Sequence, residues 1–90
     1  MYNVSLTPEA EDSLVKLKKS EPTSYKKAVK LIDELYDHPY SGTGKPEPLS
    51  GDRAGQWSRR ITKKHRLVYS VDDGTVTVIV LSVAGHYSDK

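Results

Sequence analysis

Trp57-Ser58-Arg59-Arg60-Ile61-Thr62-Lys63-Lys64-His65-Arg66-Leu67-Val68-Tyr69-Ser70-Val71 is the stretch on which the fold turns. Residues 57–61 and 67–71 read as two strands joined by Thr-Lys-Lys-His, because each run alternates its large apolar residues at period two. If Trp57 and Ile61 face the core, Ser58 and Arg60 face away. If Leu67, Tyr69 and Val71 face the core, then Arg66, Val68 and Ser70 turn outward. Opposed residues of an antiparallel pair share a face, so Arg60 and Arg66 meet only across a connection of three or five residues. Pairing of Ile61 with Arg66 would defeat this reading.

Working outward, Asp72-Asp73-Gly74 is a turn signal, and Val76 to Val83 is a nearly continuous apolar strand expected at the centre of a sheet with both faces covered. Upstream, Pro39, Gly42, Gly44, Pro46, Pro48, Gly51 and Gly55 mark residues 39–55 as a long loop. Long loops in small domains usually carry function.

Two helices precede the loop. Thr7-Pro8-Glu9 supplies an N-cap oxygen, a proline for the first helical position and an acid for the dipole. Ala10, Leu14 and Leu17 form its apolar stripe. Ser20-Glu21-Pro22 starts the second helix, whose Tyr25, Ala28, Val29, Ile32, Leu35 and Tyr36 recur at three and four and which ends at His38-Pro39. Tyr2 to Leu6 alternates as a first strand. The order β-α-α-β-β-β predicts one α+β domain over residues 1–90: a mostly antiparallel twisted sheet with two N-terminal helices on one face.

Ninety residues hold one small core. Absence of cysteine excludes disulfides, thiolate nucleophiles and Cys-based zinc sites. No secretory leader and no apolar run near the roughly 20 residues of a membrane span is present, so a soluble, cytoplasmic protein without a membrane association is expected. The net charge is only +2, yet residues 44–66 hold seven Lys/Arg against two acids, a local +5. That concentration is the footprint of a protein that meets a polyanion.

Inside it, Glu47 is the only acid between Pro39 and Gly51 and is flanked by two prolines. A fixed carboxylate among cations can act as a general base; the plainer reading is a solvated acid paired with Lys45. Arg59, Arg60 and Arg66 offer planar forks for phosphate oxygens, or simply protect a sheet edge with charge. Lys63, Lys64 and His65 read as a solvated turn that attracts a phosphate backbone. His86-Tyr87 follows the last strand: a frayed tail, or a proton donor delivered beside the cationic face. Trp57 reads as core. His38, His65 and His86 lack ligand spacing, and no phosphate-binding glycine fingerprint occurs, so neither a metal nor a cofactor is expected. A carboxylate, arginines and a histidine suffice for phosphoryl transfer on RNA, which brings its own 2′-hydroxyl nucleophile.

Gly44-Lys45-Pro46-Glu47-Pro48-Leu49, Trp57-Ser58-Arg59-Arg60-Ile61-Thr62, His65-Arg66-Leu67-Val68-Tyr69 and His86-Tyr87 together resemble the YoeB/Txe branch of the RelE-type bacterial toxins. The four motifs stand in order over nearly the whole chain. The resemblance implies a metal-free mRNA endonuclease that works in the A site of the 70S ribosome. It also implies a cognate YefM/Axe-like antitoxin encoded next to the gene, operator DNA bound through the toxin–antitoxin complex, and a homodimer. Carried over by motif, Glu47 resembles the general base, Arg60 and Arg66 the residues that stabilise the phosphate, and His86 the general acid, with Tyr87 beside it. Lys45, Arg53, Arg59, Lys63 and Lys64 are the expected RNA contacts. Relatives can carry lysine where this chain has Ser50, a contact that Arg53 would supply, and here Ser88-Asp89-Lys90 extends beyond the His-Tyr pair. The competing reading is a non-catalytic nucleic-acid-binding module that uses the same basic face.

Overall fold

The computed structural model describes residues 1–84. In order, β1 (Asn3–Leu6), α1 (Pro8–Ser20), α2 (Pro22–Leu35), β2 (Glu47–Pro48), β3 (Gln56–Arg60), β4 (Arg66–Asp72) and β5 (Thr77–Val83) build an α+β domain. The predicted order holds, with one addition: the long loop contributes the two-residue strand β2 and a 3-10 turn over Gly51–Arg53. The five strands lie in the order β1-β5-β4-β3-β2, antiparallel except for β1 beside β5.

Thr7 caps α1 as its hydroxyl requires, accepting from the Ala10 N–H at 3.1 Å. The same hydroxyl donates to the Leu81 carbonyl at 3.0 Å, fastening the helix start to β5. Leu81 is the extra residue of a bulge there, since Tyr69 pairs with Val80 while Val68 pairs with Ser82. Glu21 ends α1 and begins α2, so the two helices turn without a linker.

The core is formed by Ala10 and Leu17 of α1, Ala28, Leu31 and Leu35 of α2, and Ile61, Leu67, Tyr69, Val78, Val80 and Val83 of the sheet region. The sequence reading of α2 needs correction. Its buried line is Ser24, Ala28, Leu31 and Leu35, whereas Val29 and Tyr36 lie at the exposed edge. Two offset lines of apolar residues run along this helix: one is buried, and of the other Tyr25 and Ile32 pack at the core's margin while Val29 and Tyr36 are exposed. The helix also ends at Leu35, before His38. Interior β5 is paired on both sides, yet its faces are unequal. Val78 and Val80 are buried while Ile79 between them is exposed, so only one face is fully covered.

Candidate active face

The hairpin of β3 and β4 fixes the site. Arg60 is directly opposite Arg66, with five residues between them, and Trp57 is opposite Tyr69. This is the register that face parity required. β2 extends the sheet at the edge, placing Glu47 opposite Ser58 and Pro48 opposite Trp57. Glu47, Ser58, Arg60, Arg66 and Val68 therefore share the face turned from the helices. Ser58 and Val68 are nonetheless buried on it.

Across this surface the Arg66 guanidinium stands 3.8 Å from the Glu47 carboxylate, whose side chain remains 58% exposed. The acid thus faces Arg66 rather than Lys45. Two arginines in direct opposition across strands repel each other. A nearby carboxylate offsets that on one side, and a phosphate would do so better, because it offers oxygens to both forks. Exposed Lys45 holds a left-handed backbone (φ 51°) just before Pro46, at the entry to β2. Arg53 donates to Gln56 Oε1 at 3.1 Å, from the 3-10 turn that follows the Glu47 segment.

Arg59 does not belong to this face. Expected as an RNA contact, it is fully buried on the opposite side of β3. Its Nε donates to the Tyr69 hydroxyl at 3.1 Å. Nη1 donates to Glu34 Oε1 at 2.8 Å and to the Thr43 carbonyl at 3.4 Å. Nη2 donates to the carbonyls of Ser41, at 2.8 Å, and His38. A guanidinium has five N–H donors, and all are used. Nothing is left to offer a phosphate.

The hairpin connection also departs from expectation. Lys63 is exposed, as a solvated turn requires, but His65 is buried and its Nε2 lies 3.1 Å from both Glu21 carboxylate oxygens. Lys64 joins the same acid at 3.5 Å. This bond to His65, aided by the charges of His65 and Lys64, holds the Glu21 carboxyl below its ordinary range despite partial desolvation. The turn is therefore anchored to the helix junction, a link across 44 residues that no local pattern announces.

A second anchor lies at the far end of β4. Asp73 accepts from Tyr2 at 2.6 Å and Tyr40 at 2.7 Å, and Tyr40 meets Trp57 edge-on with ring centres 5.1 Å apart. Trp57 packs against the core, as expected. Those two hydroxyls hold the Asp73 carboxyl below its ordinary range, and the same carboxylate pushes Tyr40 up to about 12. His86 and Tyr87, the expected acid and its neighbour, lie outside the described residues.

The family model for "YoeB-like toxin of bacterial type II toxin-antitoxin system" matches residues 6–87. "Toxin YoeB" of Mycobacterium bovis is 45% identical over 80 residues, 88% of this chain and 93% of that one. Among solved structures, a "YoeB/ParE toxin" from Agrobacterium tumefaciens superposes with a TM-score of 0.87 at 36% identity, covering 94% of this chain and 99% of that one. Two Staphylococcus aureus structures, a YoeB-YefM complex and a YoeB dimer, give TM-scores of 0.80 and 0.81, both at 32% identity. The complex covers 97% of this chain and 99% of that one, the dimer 96% and 98%.

Proposed function

Because this chain belongs to the YoeB-like toxins of bacterial type II toxin–antitoxin systems, we propose that it is an endoribonuclease that cuts mRNA in the ribosomal A site and so arrests translation. The observation that carries the reading is the Glu47 carboxylate 3.8 Å from Arg66, on the face where Arg66 opposes Arg60. In this reading Glu47 takes the proton from the 2′-hydroxyl, whose oxygen forms a bond to phosphorus. Arg60 and Arg66 bear the charge that gathers on the phosphoryl oxygens. The bond from phosphorus to the 5′-oxygen then breaks, and His86, with Tyr87 alongside, supplies the proton that the departing oxygen takes up. A 2′,3′-cyclic phosphate and a 5′-hydroxyl result. Every group that moves a proton or bears charge is a side chain or the RNA itself, so no metal is assigned a step.

The remaining expectations follow the same premise. The chain would act in the cytoplasm, as a homodimer, with a YefM-like antitoxin as its cognate partner and operator DNA reached through their complex. No helix among the described residues is long and apolar enough to cross a membrane. Lys45 and Arg53, on the segments flanking β2, remain the RNA contacts best placed to follow a backbone toward Glu47, with Lys63 and Lys64 at the hairpin end.

The test is primer extension on a message translated in a purified bacterial system. Wild type should give discrete cuts at A-site codons. Glu47→Ala should slow them by about 10²- to 10⁴-fold, the range in which a positioned base acts. Free RNA in EDTA serves as the control for ribosome dependence and for metal. If the wild-type protein binds ribosomes or RNA in a salt-sensitive manner and cuts nothing, the basic face is a binding module and the nuclease reading fails.

A further inference from the structure

We propose that the pair of fully buried Arg59 with half-buried Glu34 is the positioning device for Glu47: a post around which residues 38–44 are wound, so that the chain enters β2 with its carboxylate at a fixed distance from Arg66. The inference rests on the nuclease reading given above. Its physical content is where the loop's backbone goes.

Loop carbonyls need partners, and the span between α2 and β2 has few regular ones. Arg59 collects three of them, from His38, Ser41 and Thr43. Tyr69 collects a fourth, donating to the Pro39 carbonyl at 2.7 Å while it accepts from Arg59 Nε. Glu34 completes the winding from the other side. One oxygen accepts the Thr43 N–H at 2.9 Å and the other accepts the Thr43 hydroxyl at 2.7 Å. Gly44 then passes its carbonyl to the Arg60 N–H at 2.8 Å. From there, Lys45 and Pro46 lead directly into Glu47.

The glycines fit the same device. A Cβ on Gly42 would stand 2.5 Å from Glu34 Oε1, and one on Gly44 would stand 2.9 Å from the Arg60 carbonyl. Both have positive φ, 119° and 86°. The chain therefore passes close against the Glu34 carboxylate at Gly42 and against the β3 backbone at Gly44, two points that favour a residue without a side chain. A planar fork with fixed donor directions sets a geometry that a point charge on a flexible stem does not. Arg59, Glu34 and Thr43 are thus positioning residues: none lies on the reactive face, and each acts through the path of the loop.

Thr43→Val tests this mildly, since it keeps the shape and the backbone N–H bond while removing the hydroxyl's hold on Glu34. Single-turnover cleavage and hydrogen–deuterium exchange are measured together on the full chain, with Glu34→Gln as a second variant and Thr43→Ser as the conservative control. In both disrupting variants the amides of residues 42–47 should exchange faster while β4 and β5 keep their protection. kcat should fall by roughly ten- to a hundredfold, the cost of a small misplacement, and KM should hold because the cations are untouched. Thr43→Ser should restore exchange and kcat together. Full kcat alongside a loosened loop would overturn the proposal, as would a kcat loss with loop exchange unchanged. If wild type itself cuts nothing, the nuclease reading fails first, a result distinct from active wild type with an equally active Thr43→Val.

Discussion

Arg59 and Arg60 are neighbours in sequence and opposites in chemistry. Strand alternation sends Arg60 to the open face and Arg59 beneath the sheet, the face that Trp57 shares. That much is legible in the sequence. What it does not display is the ring of loop carbonyls and the Glu34 carboxylate that make a buried guanidinium tolerable, since an unpaired one would be strongly destabilising. Residue type alone therefore favours the surface. Gly44 gives a test at the same scale. Its φ of 86° and the 2.9 Å approach to the Arg60 carbonyl predict that Gly44→Ala costs about 1–3 kcal/mol, from left-handed strain together with collision. Gly51 has φ 63° and nothing within 4 Å of the place a methyl group would take, so Gly51→Ala should cost only about 1–2 kcal/mol, the strain alone. Urea melts of the two variants compare them directly; a Gly51 variant at least as damaged as the Gly44 one would remove close approach as the cause.

At the scale of elements, the helices, the three long strands and the hairpin register can be read from periodicity, caps and turns. β2 cannot. It is two residues bracketed by prolines, with no repeat to detect, and it exists because the loop brings Glu47 alongside Ser58. Helix α2 shows the other limit. Its apolar residues cover a wider arc than the one that is fully buried, so periodicity finds the helix and leaves its exact rotation open. Ser24 completes the buried line, donating to Glu21 Oε1 at 3.2 Å, and a polar residue in that line hides it further. Leu31 is fully buried and Val29 is 41% exposed. Leu31→Ala should therefore cost about 2–5 kcal/mol, while Val29→Ala should stay within roughly half a kcal/mol. In a chain this small each kcal/mol lowers Tm by about 4–8 °C, so thermal melts separate the two easily. Comparable losses at both positions would mean that the helix is rotated from the orientation described.

Across the described residues, the carboxylates of Glu21, Glu34 and Asp73 each join segments remote in sequence: Glu21 to the β3–β4 connection, Glu34 to the loop and β3, and Asp73 to the first strand's start and Tyr40. Each is held below its ordinary value. For Glu34, desolvation pushes the carboxyl up, but the two Thr43 bonds and Arg59 together outweigh it. A group whose folded pKa is depressed adds stability that is complete above its unfolded value, about 4 for a carboxyl, and is lost as pH falls through the folded one. The tyrosines on Asp73 work in the opposite direction. Tyr40 is raised to about 12 and Tyr2 is raised as well, so their contribution is complete below pH 10 and is lost as pH climbs toward 12. One residue, Asp73, thus bears on both ends of the stability profile. Asp73→Asn should lower Tm near neutrality and flatten its fall at both extremes, because neither the depressed carboxyl nor the charge that raises the tyrosines remains. Melting curves carried from acid to about pH 11.5, which take in the carboxyl loss below about 4 and the onset of the tyrosine loss above about 10, decide it for wild type and variant. Parallel profiles would show that the Tyr2–Asp73–Tyr40 contact contributes nothing to the folded state's proton balance.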